Sequence, residues 1–270
     1  MIPRTIHYCW FGPEPLPKRV KKCIRSWEKL CPDYQIVRWN EQNFDINYNQ
    51  FTKDAYEAGK WAFVSDVARL YIIYHHGGIY LDTDVELLKP LDSFLAQKAF
   101  MGVEYNGLIA TGLGFGAEKH MEVIKELLDE YDRARFDASK PVDCPKLTTE
   151  YLARFGYTKG EQIQTIRDIT IYPSAYFAPM DWLTGRLHKT QETVSIHYYL
   201  ASWTTKKWKQ KIKIFYLGQF KSKEVRKDKL FGSAMARWTK YNTQNVSLTK
   251  KSQRKRLCSK LLLADWPPGY

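Results

Sequence analysis

Residues 4–39 read RTIHYCWFGPEPLPKRVKKCIRSWEKLCPDYQIVRW, and their periodicity decides the fold class. Residues 4–11 alternate β-branched and aromatic side chains and stop at Gly12-Pro13, the pattern of a buried strand that runs into a loop. Leu16, Val20, Cys23, Ile24, Trp27 and Leu30 then recur at three- and four-residue steps. Pro17 stands at the start of that run and Pro32 just past its end, so the spacing predicts an amphipathic helix. Residues 34–39 return to strand character. Strand, helix and strand in such a short span form a βαβ unit, which implies an α/β protein with a parallel sheet covered by helices.

Downstream, a second helix is expected over about 52–76, interrupted at Gly59 and ended by Gly77-Gly78, a pair able to adopt positive φ. Residues 79–81 follow as a short apolar strand and open into Asp82-Thr83-Asp84. The acidic pair therefore sits at the carboxyl end of a strand, where open α/β sheets bind their ligands. Residues 100–103 and 112–115 read as strands around the loop 104–107. Met121, Ile124, Leu127, Leu128 and Tyr131 mark another amphipathic helix, 147–155 a shorter one, and 169–172 and 193–198 further strands. There is no internal repeat.

The chain has 270 residues, 44% hydrophobic and 26% charged, with 15 Gly and 12 Pro. That is globular composition, neither collagen-like nor disordered. No apolar run approaches the roughly 18–20 residues of a membrane-spanning helix. The start, Met1-Ile2-Pro3-Arg4, lacks the zones of a secretory signal, so a cytoplasmic location is expected. Five scattered cysteines without a C-x-x-C pair argue for buried reduced thiols rather than disulfides or a thiolate metal site.

Charge is uneven. The net charge is +13, yet residues 206–270 hold 18 Lys and Arg against Glu224, Asp228 and Asp265, a local +15 that leaves −2 for the first 205 residues. Two units are expected: a catalytic body, 1–205, and a basic, helical, aromatic-rich C-terminal extension, 206–270. Trp208, Phe215, Tyr216, Phe220, Phe231 and Trp238 interleave with the cations there, which suits an anionic membrane surface better than nucleic acid. A solvated basic appendage is the plain alternative.

Asp82 and Asp84, two residues apart where a strand gives way to a loop, can face one cavity. Hard oxygen ligands with open positions suit Mg²⁺ or Mn²⁺ shared with phosphate oxygens. A lone pair of this kind is also an ordinary surface turn; the apolar strand and Gly-Gly before it raise its meaning. Upstream, Ser65-Asp66-x-x-Arg69 places Asp66 and Arg69 on one helical face. Phe63, Val67, Leu70 and Ile73 flank them, so the pair is expected to be buried and to need partners, which sugar hydroxyls beside a diphosphate would supply. His197 to Trp203 offers a histidine, a hydroxyl and an indole after a strand: a metal site completed by His197 or Ser202, with a Trp203 N–H for phosphate, or a core histidine. Trp10 ends the first strand, as core or as a ring face for a nucleobase.

Together, the segments at 6–12, 63–69, 77–84 and 195–203 resemble glycosyltransferase family 32, which includes bacterial capsular polysaccharide sugar transferases and yeast α-mannosyltransferases and is related to the glucosylating domains of large clostridial toxins. The likeness covers about residues 1–205 in collinear order. It implies a GT-A fold, Rossmann-like with a mostly parallel central sheet, a nucleotide-sugar donor, a Mn²⁺ or Mg²⁺ ion and transfer with retention of anomeric configuration. Carried onto this chain, it implies that Trp10 stacks on the base and that Asp66 and Arg69 bind donor-sugar hydroxyls, Arg69 also near the diphosphate. Asp82 would touch ribose and a metal-bound water, Asp84 would ligate the metal, His197 or Ser202 would complete its shell, and Trp203 would reach the β-phosphate. Asn43 and Ser65 join the donor-binding set. The catalytic set is Asp66, Arg69, Asp82 and Asp84, and Glu104 is a candidate acceptor contact.

On this reading the chain moves a hexose from a nucleotide-sugar, a UDP-sugar by preference, to a glycan or lipid-linked glycan in bacterial surface polysaccharide synthesis. It would work peripherally at the inner face of the plasma membrane. The rival from motif logic is a haloacid-dehalogenase-type phosphohydrolase with Asp82 as nucleophile and Asp84 as acid/base. That scheme expects a later acidic pair that is not evident and leaves the Ser-Asp-x-x-Arg and Ser-Trp segments unused. A non-enzymatic module that binds anionic polymers is the remaining alternative.

Overall fold

A computed structural model of the chain describes residues 1–200 apart from 140, 141, 143, 182 and 183. The expected basic extension 206–270 lies outside the described residues, as do Ser202 and Trp203.

The opening βαβ unit forms as its periodicity requires. Strand β1 (Thr5–Cys9) leads into helix α1 (Lys18–Leu30) and strand β2 (Gln35–Trp39), and β1 and β2 pair in parallel from Thr5 opposite Gln35 to Cys9 opposite Trp39. Helix α1 buries Val20, Cys23 and Trp27, the residues that recur at three and four. The long helical stretch is two helices, α2 (Gln50–Glu57) and α3 (Trp61–His76), broken around Gly59 as expected. Asn49 caps α2 by accepting from the Thr52 N–H at 2.8 Å.

Helix α3 is apolar on most of its circumference, with Val64, Val67, Ala68, Leu70, Ile72 and Ile73 all buried, because it lies between the sheet and other helices. Gly77 ends it, and strand β3 (Gly78–Tyr80) starts at once. Gly78 has φ +96°, and a Cβ there would meet Thr5 O at 2.8 Å and His7 Nε2 at 2.9 Å, so only glycine lets β3 close on β1.

The remaining elements are strands β4 (Val85–Leu87), β5 (Ala99–Val103), β6 (Ile109–Ala117), β7 (Gln164–Ile166), β8 (Ile169–Tyr172) and β9 (Ser195–His197), and helices α4 (Glu122–Arg133), α5 (Cys144–Ala153) and α6 (Ser174–Phe177). The main sheet has the order β2-β1-β3-β6-β5-β8-β7, with β6 and β7 running against the other five strands. This is a mixed α/β sheet with five of its seven strands running the same way. Alternate strand residues feed two cores: Tyr80, Met101 and Phe115 pack with α2 to α5 on one face, while Ile79, Phe100 and Leu113 pack with Trp27 of α1 and Phe177 of α6 on the other.

Strands β4 and β7 and helix α6 carry too few residues for a periodic signal and are not anticipated. Each needs its partner to exist: β4 pairs with β9 in a separate two-stranded sheet, with Val85 opposite His197. Cys9, Cys23, Cys31 and Cys144 are buried and free, as expected. Among the described residues no helix is long and apolar enough to cross a membrane.

Candidate functional site

Leaving the main sheet at Tyr80, the chain makes one tight turn before joining β4, and Asp82 and Asp84 sit in that turn. Asp82 N–H donates to Gly112 O at 3.0 Å and Asp82 O accepts from Val85 N–H at 3.0 Å, so both sides of the turn are tied down. Trp27 of α1 holds it from below, its Nε1–H donating to Val85 O at 2.8 Å.

Pairing of β4 with β9 then brings in a residue from far along the chain. His197 Nε2 lies 3.0 Å from Asp84 Oδ1, and the Leu200 N–H donates to Asp84 Oδ2 at 2.8 Å. Asp82, Asp84 and His197 each offer one ligand atom, all within 4.8 Å of one another. Burial disfavours the Asp84 charge, but His197 and the backbone N–H groups, that of Leu200 among them, together outweigh it and hold the carboxyl down to about 2. Burial likewise works against a charged His197, and Asp84 reverses that and raises it.

On the opposite side stands α3. Arg69 reaches Asp66 Oδ1 at 3.1 Å and Asp82 Oδ1 at 3.2 Å, donates through Nε to Ser65 O at 3.1 Å, and lies over the Tyr80 ring. Burial opposes its charge, yet Asp82, Tyr80 and Asp66 raise it well above the ordinary guanidinium value. Asp82, which also accepts from Tyr80 Oη–H at 3.1 Å, is pushed up by burial and only partly pulled back by Arg69. Among the described residues Asp66 and Asp82 converge on the Arg69 guanidinium, and Asp84 meets the His197 imidazole. Carboxylates gathered in a poorly hydrated place call for compensating positive charge.

A divalent cation fits this donor set. Two carboxylates and an imidazole are the hard and borderline ligands of Mg²⁺ or Mn²⁺. His197 Nδ1 is in addition buried without a hydrogen-bond partner among the described residues; with the ring neutral and Nε2–H donating to Asp84, its lone pair is one that a cation or its water would satisfy.

The expected residues are therefore brought together in part. Asp66, Arg69, Asp82, Asp84 and His197 meet. Ser65 lies on the same helix, where its Oγ–H donates to Trp61 O at 3.0 Å. Glu104 acts electrostatically on His197 and Tyr199, so the 104–107 loop borders the site. Trp10 is half-buried and its Nε1–H donates to Glu14 O at 2.7 Å. Asn43 spends its side chain locally, donating to Arg38 O at 2.9 Å and accepting from Asn40 N–H at 2.8 Å. Their roles toward a donor remain proposals.

Three contributors were not anticipated. Tyr80 looks like strand core, and only its hydroxyl makes it part of the site. Gly112 in β6 leaves the space that Asp82 occupies. Tyr199, with φ +47°, turns the chain so that Leu200 can reach Asp84. The alternation of β3 could have pointed to Tyr80; the other two depend on contacts across the fold.

Residues 17–101, which include Asp66, Arg69, Asp82 and Asp84, match the family described as glycosyltransferase sugar-binding region containing DXD motif. Inositol phosphoceramide mannosyltransferase 1 of Schizosaccharomyces pombe is 31% identical over 107 residues, 37% of this chain and 33% of that protein. The human alpha-1,4-N-acetylglucosaminyltransferase is 27% identical over 189 residues, 65% of this chain and 50% of that one. Among solved structures, a glycosyltransferase involved in glycosylation of the major capsid of PBCV-1 superposes with a TM-score of 0.47 at 15% identity, covering 73% of this chain and 94% of that one. The chain spans about a third of the length of the first curated relatives it matches.

Proposed function

From the DXD-containing sugar-binding region of residues 17–101 as premise, we propose that the chain is a metal-dependent glycosyltransferase that moves a hexose from a nucleotide-sugar to a glycan or lipid-linked glycan. The observation that carries this reading is the convergence of Asp82, Asp84 and His197 to within 4.8 Å, beside an Arg69 pinned between Asp66 and Asp82.

Breaking an anomeric C–O bond leaves a nucleoside diphosphate with extra negative charge, so the largest help a protein can give is electrostatic. A Mn²⁺ or Mg²⁺ ion held by Asp82, Asp84 and His197 would supply Lewis-acid stabilisation of that leaving group. Arg69, charged and fixed, adds a second positive centre. Asp66, held by Arg69 at the same place, is positioned to accept from sugar hydroxyls and so to orient the anomeric carbon. Trp10, Asn43 and Ser65 complete the donor side in this proposal, with Ser202 and Trp203 assigned from the resemblance alone.

No side chain of the site stands out as an enzymic nucleophile, which favours transfer with retention by front-face attack, the departing phosphate taking the acceptor proton. A UDP-sugar is the favoured donor. A place in bacterial surface polysaccharide synthesis at the inner membrane face, with 206–270 on anionic lipid, extends the same proposal. The phosphohydrolase alternative gives no role to Asp66 and Arg69, which the fold brings against Asp82.

The test is donor hydrolysis. Incubation with a panel of UDP- and GDP-sugars and Mn²⁺ should release nucleoside diphosphate from one of them and not after EDTA. Inertness across the panel with the folded full chain would overturn the reading.

A further inference from the structure

Helix α1 carries six basic side chains, Lys18, Arg19, Lys21, Lys22, Arg25 and Lys29, against a single acid, Glu28. Its buried stripe is Val20, Cys23 and Trp27, so these cations occupy the outward part of the helix. Lys22 pairs with Glu86 at 2.9 Å, and the Arg19 guanidinium lies 4.3 Å above the Tyr198 ring. Lys18, Lys21, Arg25 and Lys29 have no carboxylate partner among the described residues. The arrangement is unfavourable for the isolated helix. Lys18 and Lys22, and Lys21 and Arg25, are like charges four residues apart, and the first turn holds cations and no acid, the wrong sign for the positive end of the helix dipole.

Lys18, Arg19, Lys22 and Arg25, with Cys23 and Tyr198, line an open cleft of about 420 Å³. An open concavity ringed by four cations, of which Lys18 and Arg25 have no carboxylate partner among the described residues, matches a phosphate-bearing group. We propose that this cleft takes the phosphate of an anionic lipid headgroup, which makes α1 a membrane-docking face of the N-terminal unit itself, independent of residues 206–270.

Two features favour a lipid surface over other anions. From Lys18 to Lys29 the positive strip runs roughly 16 Å along the helix, longer than one free phosphate requires. One face of the ring that lines the cleft, Tyr198, is covered by Arg19, so a nucleobase would have to displace that guanidinium to stack there. The inference goes beyond the sugar-transfer reading and stands on the outer surface of α1 with Tyr198 beside it.

The experiment compares the full chain with its Lys18→Gln/Lys21→Gln/Arg25→Gln variant, in which Arg19, Lys22 and residues 206–270 are intact. Sedimentation is measured with vesicles of phosphatidylcholine containing about one-third phosphatidylglycerol, at about 0.1 M salt. Partition of the variant should fall by roughly tenfold or more, since each cation near such a surface contributes about fivefold. Glu28→Lys, which adds a cation to the same face, should strengthen partition and guards against a mere folding defect. Equal partition of parent and triple variant overturns the proposal. So does unchanged partition combined with weakened binding of inorganic phosphate or of a single-stranded oligonucleotide, which would assign the cleft to those anions. Donor hydrolysis in solution, followed in parallel, should be the same in parent and variant, so failure of the transferase reading is seen separately.

Discussion

Gly112 faces Asp82 so closely that a Cβ on Gly112 would fall 2.0 Å from Asp82 Oδ2 and 3.0 Å from an Arg69 nitrogen. Strand β6 thus makes room for the carboxylate by having no side chain there. Gly112→Ala should therefore displace Asp82 and Arg69 together. The expected outcome is a folded protein, by circular dichroism, whose Mn²⁺ affinity and donor turnover are each at least roughly tenfold lower, the scale of loss when a positioning contact at a metal site is removed. Unchanged turnover would show that Asp82 need not occupy its present place.

Arg69 is buried between two carboxylates, and removing it takes a charged partner from both. Arg69→Met should cost about 3–5 kcal/mol of unfolding free energy in urea titrations, because it breaks a buried ion pair with each carboxylate. Arg69→Lys keeps the charge but not the fork that spans Asp66, Asp82 and Ser65 O, so it should fall between parent and Met. A loss below about 1 kcal/mol for Arg69→Met would mean the pair behaves as an exposed one.

Trp27 links the helix to the acidic turn through Val85 O. Trp27→Phe keeps most of the packing and deletes the donor, at an expected cost of about 1–3 kcal/mol. Because Val85 adjoins Asp84, hydrogen exchange at the 82–85 amides should quicken more than in β5 or β8. Uniform exchange rates would remove the link.

His7 gives the fold a pH dependence of known sign. Burial lowers its pKa from 6.5 to about 4, and the neutral ring accepts from Trp39 Nε1–H at 3.0 Å through Nδ1 while Nε2–H donates to Gly77 O at 3.0 Å. Above pH 6.5 both folded and unfolded chains hold it neutral, so its contribution is fully present. Between 6.5 and about 4 the unfolded chain takes the proton and the folded one does not, so stability falls as pH falls, by on the order of 3 kcal/mol in all. His7→Gln, which retains a donor for Gly77 O, should flatten that part of the profile. The same slope in parent and variant would contradict the assignment.

Much of this was legible from short-range pattern. The βαβ unit follows from the spacing of Val20, Cys23 and Trp27 between two apolar runs, and the place of Asp82 and Asp84 from an apolar strand that starts at Gly78. Asp66 and Arg69 could be read as buried because apolar residues surround them on α3. What escaped depends on distance in the chain. His197 could be named but not chosen over a core role, since its meeting with Asp84 requires β4 to pair with β9 across 113 residues. Gly112 sends no local signal, because its requirement is a clash with a side chain from another strand. Asn43 sits on the turn after β2, where its amide is bonded to Arg38 O and Asn40 N–H, and its place toward a donor is a proposal.

The central claim is that Asp82, Asp84 and His197 hold a divalent cation for a nucleotide diphosphate. Mn²⁺ titration followed by electron paramagnetic resonance, with UDP present, measures this directly in the parent and in Asp84→Asn. The account predicts one bound Mn²⁺ in the parent and affinity at least roughly tenfold weaker in the variant. Equal Mn²⁺ affinity in the two proteins, both folded, would contradict it.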